Sequence, residues 1–245
     1  MKQLKNGWYV PDDDTRVTGL LENDLLKDKP SYEEKFRTII NASIPNKRTF
    51  IDVGANVGIW SLPLTKVFSK VVSYEPSRQN IECIKMNIPS GIELRERAVA
   101  NFTGEANFHQ GGKNCGDGQL SRPGRKFNYT VPVIQLDDEN LENVDLIKID
   151  VQGWEYEVLL GAKNLIRTQT PWVLFEVNED VDKCCELMES LNYEVIQVKS
   201  KRMFLWAPLQ GSNRPKNTNL FGRHLGPGPY AEKLGMNDIP SKSAG

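Results

Sequence analysis

The sequence predicts an α/β fold whose core is a mostly parallel, seven-stranded, doubly wound sheet. Short apolar segments alternate along the chain with longer segments that have helical periodicity. Several of the short segments are apolar at nearly every position, which is typical of strands that helices cover on both faces. Strands and helices that alternate in this way form a doubly wound sheet.

Seven segments have the composition of strands, and four segments between them have the apolar spacing of helices. The predicted strands span residues 49–53, 71–75, 92–95, 146–150, 172–176, 194–198 and 203–206. The predicted helices span residues 59–68, 78–88, 155–167 and 181–191. Cys184 falls on the apolar stripe of the last helix, so we expect its thiol to pack in the core.

The chain divides into an N-terminal segment with a capping helix (1–45), a main domain (46–208) and a tail (209–245). The capping helix is predicted to begin at Ser31, because Ser31 and Glu34 fit a capping box. The tail is rich in proline, glycine and asparagine, so we expect it to be poorly ordered.

The first part of the N-terminal segment, residues 1–29, is polar and is predicted to be irregular. It contains the acidic run Asp12-Asp13-Asp14. Adjacent carboxylates repel one another and cannot all face one ion. The run therefore indicates a solvated turn and not a metal site.

The alternation breaks after the third predicted strand. Segments 105–109 and 128–134 have strand composition, and a glycine-rich stretch, 111–124, lies between them. We interpret this region as a β-hairpin inserted after the third strand, with the glycine-rich loop at its tip. A loop longer than ~12 residues in a compact domain is usually functional or disordered.

The amino-acid composition and the net charge limit the classes of protein to which this chain can belong. The 245 residues are 39% hydrophobic and 26% charged, as in soluble globular proteins. The formal net charge of −1 gives no global attraction to nucleic acid or to anionic membranes. No signal-like segment or long apolar run is present. The four cysteines form no CxxC pair, so we expect reduced thiols, no structural zinc site and a cytoplasmic location.

The first functional motif is the run from Asp52 to Gly58, in which a buried strand leads into a glycine turn. Gly54 allows the backbone to turn close to a ligand, and Gly58 allows close packing of the next helix. A nicotinamide fingerprint needs a third glycine where this turn has Asn56. Asp52 would repel a pyrophosphate but suits an ammonium group and a sulfonium. The motif therefore favours S-adenosylmethionine over NAD.

The second motif is Glu75, which ends the next predicted strand about 20 residues after Gly54. A carboxylate at this position is placed to accept hydrogen bonds from ribose hydroxyls. The alternative is an ordinary strand-end carboxylate that caps the helix after Ser77. The pairing with the glycine turn favours the ribose interpretation.

The third motif places Asp150 and Glu155 at the same edge of the sheet, with Trp154 between them in sequence. Asp150 is a candidate to orient the acceptor or to take its proton, and helix capping is the alternative. Glu155 stays open between a catalytic and a structural role. His109, at the end of the first hairpin strand, is a second candidate base, with a surface role as the alternative.

A divalent cation is an alternative at the same edge. Asp150, Glu176 and Asn178 follow strand ends, and oxygen ligands suit magnesium. Carboxylates at neighbouring strand ends are common without a metal, so the sequence predicts no metal ligand.

Together these motifs resemble the FkbM family of methyltransferases. The resemblance spans residues 49–177, and its most specific part is Lys148-Ile149-Asp150-Val151-Gln152-Gly153-Trp154-Glu155, where the family usually has Glu at the position of Gln152. The resemblance implies a Rossmann-like class I methyltransferase fold, S-adenosylmethionine as donor, and a hydroxyl acceptor on a sugar, polyketide or similar metabolite. It also implies that the methionine end of the cofactor contacts Asp52, Gly54, Ala55, Asn56 and Gly58, that Glu75 holds the ribose, and that Arg97 and Ala98 lie near the adenine. Asp150 is a further predicted cofactor contact.

The sequence thus predicts S-adenosylmethionine-dependent O-methylation of a small metabolite or sugar, with Asp150, His109 and Glu155 as candidate catalytic residues. The expected partner is a small-molecule or carbohydrate acceptor, and neither nucleic acid nor a membrane is expected. A nicotinamide-dependent oxidoreductase and a non-catalytic S-adenosylmethionine-binding protein are the alternatives.

Overall fold

The computed structural model describes residues 1–26, 32–176, 179–199 and 203–214. The predicted cap Ser31, the candidate ligand Asn178 and most of the predicted tail lie outside these ranges.

The N-terminal segment is more regular than predicted. It contains β1 (Lys2–Gln3) and β2 (Tyr9–Val10), which pair antiparallel, followed by α1 (Arg16–Leu26) and α2 (Tyr32–Ser43). The prediction that residues 1–29 are irregular was therefore wrong.

Asp14 explains the missed helix. Its carboxylate accepts a hydrogen bond from the backbone N–H of Thr18 at 2.7 Å and another from that of Cys115 at 2.9 Å. A carboxylate at this position satisfies a free N–H group of the first helical turn. Asp14 is buried, so the predicted solvated turn holds only for Asp12 and Asp13, which are exposed.

Regular elements continue through the rest of the described chain. The strands are β3 (Thr49–Val53), β4 (Lys70–Tyr74), β5 (Glu93–Arg95), β6 (Ala98–Val99), β7 (Gly104–His109), β8 (Gln119–Leu120), β9 (Tyr129–Ile134), β10 (Val144–Ile149), β11 (Trp172–Glu176), β12 (Tyr193–Lys199) and β13 (Met203–Pro208). The helices are α3 (Ser61–Leu64), α4 (Arg78–Asn87), α5 (Glu155–Gly161), α6 (Lys163–Gln169) and α7 (Val181–Ser190), with 3-10 turns at Cys115–Asp117 and Leu136–Asp138.

The central sheet has seven strands in the order β12-β13-β11-β10-β3-β4-β5. The pairs from β5 to β11 are parallel, and β13 is antiparallel to both of its neighbours. The sheet is therefore mixed, with four parallel pairs and two antiparallel pairs. This arrangement confirms the predicted α/β class and the predicted number of strands.

Helices cover both faces of this sheet. On one face, Ile51 and Ile149 pack with residues of α5, α6 and α7, including Cys184. On the other face, Phe50 packs with residues of α2 and α3, including Ile40. Phe50 and Ile51 are adjacent on one strand, so the alternation of side chains along a strand supplies both cores.

The insertion after β5 is larger than the predicted hairpin. It forms a second sheet of four strands in the order β6-β9-β7-β8. The predicted flanking strands correspond to β7 and β9, which pair antiparallel, while β6 runs parallel to β9. Phe108 and Val131 belong to the buried core of this second sheet.

The four cysteines are free and buried, and Cys184 packs in the core as expected. In the part of the chain that the structure describes, no helix combines the length and the apolar composition needed to cross a membrane.

Candidate functional site

A cleft of about 220 Å³ opens at the carboxyl ends of β3, β4, β10 and β11. Ligands of open α/β sheets bind at this edge, in a crevice outside the carboxyl ends of the strands. The predicted site residues that line the cleft are Gly54, Asn56, Glu75, Arg97, Ala98 and Asp150.

Gly54 brings the turn after β3 into contact with the end of β10. Its φ angle is +78°, and a Cβ at this position would lie 1.9 Å from the backbone oxygen of Asp150. The backbone N–H groups of Gly54 and Ala55 both donate to Tyr74 O, at 3.0 and 3.1 Å. The turn is therefore held between β4 and β10, and only glycine fits.

Glu75 holds the other end of this turn. One oxygen accepts from the backbone N–H of Asn56 at 2.8 Å, and the other accepts from that of Ser77 at 2.8 Å and from Asn80 Nδ2 at 3.4 Å. Burial raises the pKa of Glu75 to about 7, and these hydrogen bonds oppose the shift. The side chain of Ser77, and not Glu75, caps the following helix.

Asp52 does not line the cleft, although the sequence predicted that it contacts a ligand. Its side chain is fully buried, accepts a hydrogen bond from Ser61 Oγ at 2.6 Å and lies 3.2 Å from Lys148 Nζ. The structure therefore places the Asp52 carboxylate beside Lys148 inside the protein and not at the cleft. Ala55 and Gly58 also pack in the interior and are not among the residues that line the cleft.

Asp150 and Trp154 also line the cleft. The Asp150 carboxylate lines the cleft, is 34% exposed and accepts a hydrogen bond from Gln152 Nε2 at 2.9 Å. The indole N–H of Trp154 donates to Leu120 O at 2.9 Å, which joins this part of the cleft to the inserted sheet. The Arg122 guanidinium lies 5.2 Å from the centre of a Trp154 ring.

Glu155, a predicted catalytic residue, is not among the residues that line the cleft. It is buried and accepts hydrogen bonds from the backbone N–H groups of Val151 at 3.2 Å and Gly153 at 3.0 Å. Burial raises its pKa to about 7, against these hydrogen bonds. The carboxylate therefore closes the turn that precedes α5.

His109 was predicted as a second base, but its side chain does not line the cleft. Its neighbour Phe108 does, and successive side chains of a strand point to opposite faces. Glu176 lines the cleft near Asp150. Among the described residues, no group of three or more His, Cys, Asp or Glu is arranged to hold a metal ion.

Comparison with known proteins decides the family. The model of the methyltransferase FkbM domain matches residues 52–195, which is more than half of the chain. The chain belongs to the FkbM methyltransferase family. This confirms the resemblance seen in the sequence, and it excludes the nicotinamide-dependent alternative. The cofactor is S-adenosylmethionine.

Two relatives of this FkbM chain illustrate the range of the similarity. The methyltransferase sdnD of Sordaria araneosa is 22% identical over 221 residues, which cover 70% of this chain and 82% of that protein. The crystal structure of an FkbM methyltransferase from Methylobacillus flagellatus KT superposes with a TM-score of 0.50 at 16% identity. That superposition covers 80% of this chain and 55% of the solved chain, so this chain spans about half of its length.

The lining of the cleft fits S-adenosylmethionine. Gly54 offers a bare backbone, and Glu75 offers a carboxylate for a diol. Beside Glu75, Asn80 Oδ1 is buried and has no hydrogen-bond partner within the described ranges, which leaves an acceptor open to a donor of the ligand. Arg97 and Ala98 complete this side of the cleft.

The sequence missed one wall of the site in this FkbM chain. Arg16, Val17 and Leu20 of α1 line the cleft, as does the segment 114–120. The backbone N–H of Thr15 donates to Lys113 O at 2.9 Å, which joins α1 to that segment. The glycine-rich stretch indicated the second part of this wall, whereas α1 was not predicted from the sequence.

Proposed function

We propose that this FkbM methyltransferase transfers a methyl group from S-adenosylmethionine to a hydroxyl oxygen of a small metabolite or sugar, and that Asp150 accepts the proton of that hydroxyl. The observation that carries the proposal is the position of the Asp150 carboxylate. It lines the same cleft as the Gly54 turn, and the two backbones are in contact.

Five residues of the cleft are proposed to hold the cofactor: Gly54, Asn56, Glu75, Arg97 and Ala98. Glu75 accepts the hydrogen bonds of the ribose diol, and the bare backbone of Gly54 allows the methionine part to approach the turn. Arg97 and Ala98 lie against the adenine. When bound, the cofactor supplies an electrophilic methyl group on a positively charged sulfur.

Asp150 acts on the acceptor. A hydroxyl oxygen becomes a better nucleophile as its proton leaves, and a carboxylate within hydrogen-bond reach takes that proton. Gln152 donates a hydrogen bond to Oδ1, and Oδ2, which lies 3.9 Å from Lys148 Nζ, is the proposed proton acceptor. Because the donor is already activated, most of the acceleration comes from holding the reactants in line, and such positioning can supply ~7–11 kcal/mol.

The character of the cleft supports a small polar acceptor. Asp150 and Glu176 offer acceptors for hydroxyl groups, while Trp154 and Phe108 offer apolar surface. The net charge of −1 supports such an acceptor over a nucleic acid, whose binding depends on an excess of basic side chains.

Calorimetric titration with S-adenosylhomocysteine tests the cofactor part of the proposal. We expect Glu75→Ala to weaken binding at least ~10-fold, about 1.4 kcal/mol, because the ribose loses its acceptor. The matched control is Glu105→Ala, an exposed carboxylate on β7, which should bind as the wild type does. Wild-type affinity in Glu75→Ala would contradict the assigned ribose contact.

Transfer of a labelled methyl group to a panel of acceptors tests the chemistry. The panel contains sugars, hydroxylated metabolites, amines and RNA, so that each acceptor class gives its own result. We expect labelling of hydroxyl compounds alone, and a fall in kcat of ~10²-fold or more in Asp150→Asn with unchanged S-adenosylhomocysteine affinity. Cofactor binding without labelling of any acceptor would favour the non-catalytic alternative.

A further inference from the structure

A buried lysine contacts the cofactor-binding turn from inside the sheet. Lys148 lies on β10, in register with Asp52 on one side and with Leu174 on the other, and its side chain is 7% exposed. Its Nζ donates a hydrogen bond to Gly54 O at 2.7 Å. The same nitrogen lies 3.2 Å from an oxygen of Asp52 and 3.9 Å from one of Asp150.

Stability alone does not account for this lysine. Its neighbours on the strand, Ile147 and Ile149, are fully buried, and an apolar residue would fit the same pattern. Burying an ion pair requires the removal of two charges from water, and replacement of such a pair by apolar residues of similar volume is often neutral or stabilising. The role of Lys148 is therefore inferred from the contacts of its ammonium group and not from its burial.

The most informative contact is the one with the peptide group between Gly54 and Ala55. Its carbonyl oxygen accepts from Lys148 on β10, and its N–H donates to Tyr74 O on β4 at 3.1 Å. A peptide group is planar, so bonds on its two opposite edges fix its orientation. The next residue, Asn56, follows directly and donates its own N–H to the Glu75 carboxylate.

Asp52 holds the ammonium in place for this contact. Besides facing Lys148, Asp52 accepts a hydrogen bond from Ser61 Oγ, which is also 2.8 Å from Ser73 Oγ. This polar row joins strands β3 and β4 to helix α3 and is fully buried. A carboxylate fixed in this way leaves the ammonium little freedom to leave Gly54 O.

We propose that Lys148 is a positioning residue for the cofactor. Its ammonium fixes the Gly54–Ala55 peptide, so that the turn presents Asn56 and Glu75 to the ligand in the binding geometry. The contact with Asp150 extends this role to the acceptor side, and both parts of the inference rest on the site residues assigned in the proposed function.

Titration with S-adenosylhomocysteine and hydrogen exchange at residues 54–56 test the proposal, because neither measurement needs an acceptor. The variants are Lys148→Met, Asp52→Asn and the double variant, which leaves no unpaired charge. Lys163→Met, at the exposed start of α6, is the matched control. Thermal unfolding of each variant reports global stability separately.

We expect both Lys148→Met variants to bind at least ~10-fold more weakly, with faster exchange at residues 54–56, because the peptide loses one of its two fixed edges. Asp52→Asn keeps a polar oxygen beside the ammonium and should bind within ~3-fold of wild type, as should the Lys163→Met control.

Two results would overturn the proposal. One is a double variant that binds within ~2-fold of wild type with unchanged exchange. The other is Asp52→Asn losing as much affinity as Lys148→Met, which would assign the effect to the stability of the ion pair. If the methionine variants do not fold, Lys148→Arg replaces them. The guanidinium of Lys148→Arg is larger and planar, so this variant should show faster hydrogen exchange at residues 54–56, whereas Asp52→Asn should not. An exchange rate in Lys148→Arg equal to that of the wild type would then overturn the proposal.

Discussion

Raising the pH from 6 to 8 is expected to strengthen S-adenosylhomocysteine binding about tenfold, because a ribose diol donates to an ionised Glu75. Burial raises the pKa of Glu75 to about 7 in the free protein. The backbone N–H groups of Ser77 and Asn56, the amide of Asn80 and the charge of Lys148 lower this pKa, but they do not cancel the effect of burial. Glu75 is therefore partly protonated near neutral pH, before any ligand is bound.

The magnitude follows from the fraction of ionised protein. A carboxyl group with a pKa of about 7 is ionised in about one molecule in eleven at pH 6 and in about ten of eleven at pH 8. When one protonation state binds, the apparent affinity falls in proportion to the population of that state. The ratio between the two pH values is about tenfold, or about 1.4 kcal/mol of binding free energy.

Isothermal titration at pH 6, 7 and 8 and constant ionic strength measures this ratio. Glu75→Gln cannot ionise, so we expect weak binding that does not change over this range. Glu155→Gln removes the other carboxyl group with a pKa raised to about 7 and should keep the wild-type slope. A flat wild-type profile would refute the reasoning, and so would a slope that persists in Glu75→Gln.

Three further predictions concern stability. Burial raises the pKa of Glu155 from its ordinary value of 4.5 to about 7. The stability that protonated Glu155 contributes is therefore complete below pH 4.5 and is lost as the pH rises through about 7. Glu155→Gln cannot lose this proton, so it should reduce the decrease in Tm between pH 5 and 8. Gly54→Ala places a Cβ 1.9 Å from Asp150 O, so urea unfolding should show a loss of stability, at least ~2 kcal/mol, together with lost cofactor binding. Asp14→Ala leaves two backbone N–H groups unpaired, including that of buried Cys115, and should cost ~2 kcal/mol in the same assay.

Where a pattern is local, the sequence was a good guide to the fold. Strands β3 and β11 have the predicted ends, because each is mostly apolar and a glycine turn or a polar segment follows it within two residues. The predicted helix 155–167 is instead two helices, α5 and α6. At the break, Gly161 packs so closely on the inserted sheet that a Cβ would lie 2.1 Å from Ala100 O. That contact joins distant segments and leaves no local pattern.

In the site, too, the features that depend on contacts between distant segments were not predictable from the sequence. Asp52, Glu155 and His109 were candidate site residues because their side chains can bind ligands or transfer protons. The sequence does not show, however, whether such a side chain faces the cleft. The Glu155 carboxylate accepts hydrogen bonds from backbone N–H groups two and four residues before it. The Asp52 carboxylate forms an ion pair with Lys148, which lies on another strand. Glu75 and Asp150 reach the cleft because both follow the carboxyl ends of parallel strands.

The two strongest motifs of the sequence, 52–58 and 148–155, are parts of one structural unit. They lie far apart in the chain, yet Lys148 is opposite Asp52 in the parallel register, and its ammonium binds Gly54 O. Asp150 in turn leaves no room for a side chain at Gly54. A change in one motif therefore has to be matched in the other. An apolar residue at 148 requires a neutral residue at 52, because a buried carboxylate without its partner costs several kcal/mol.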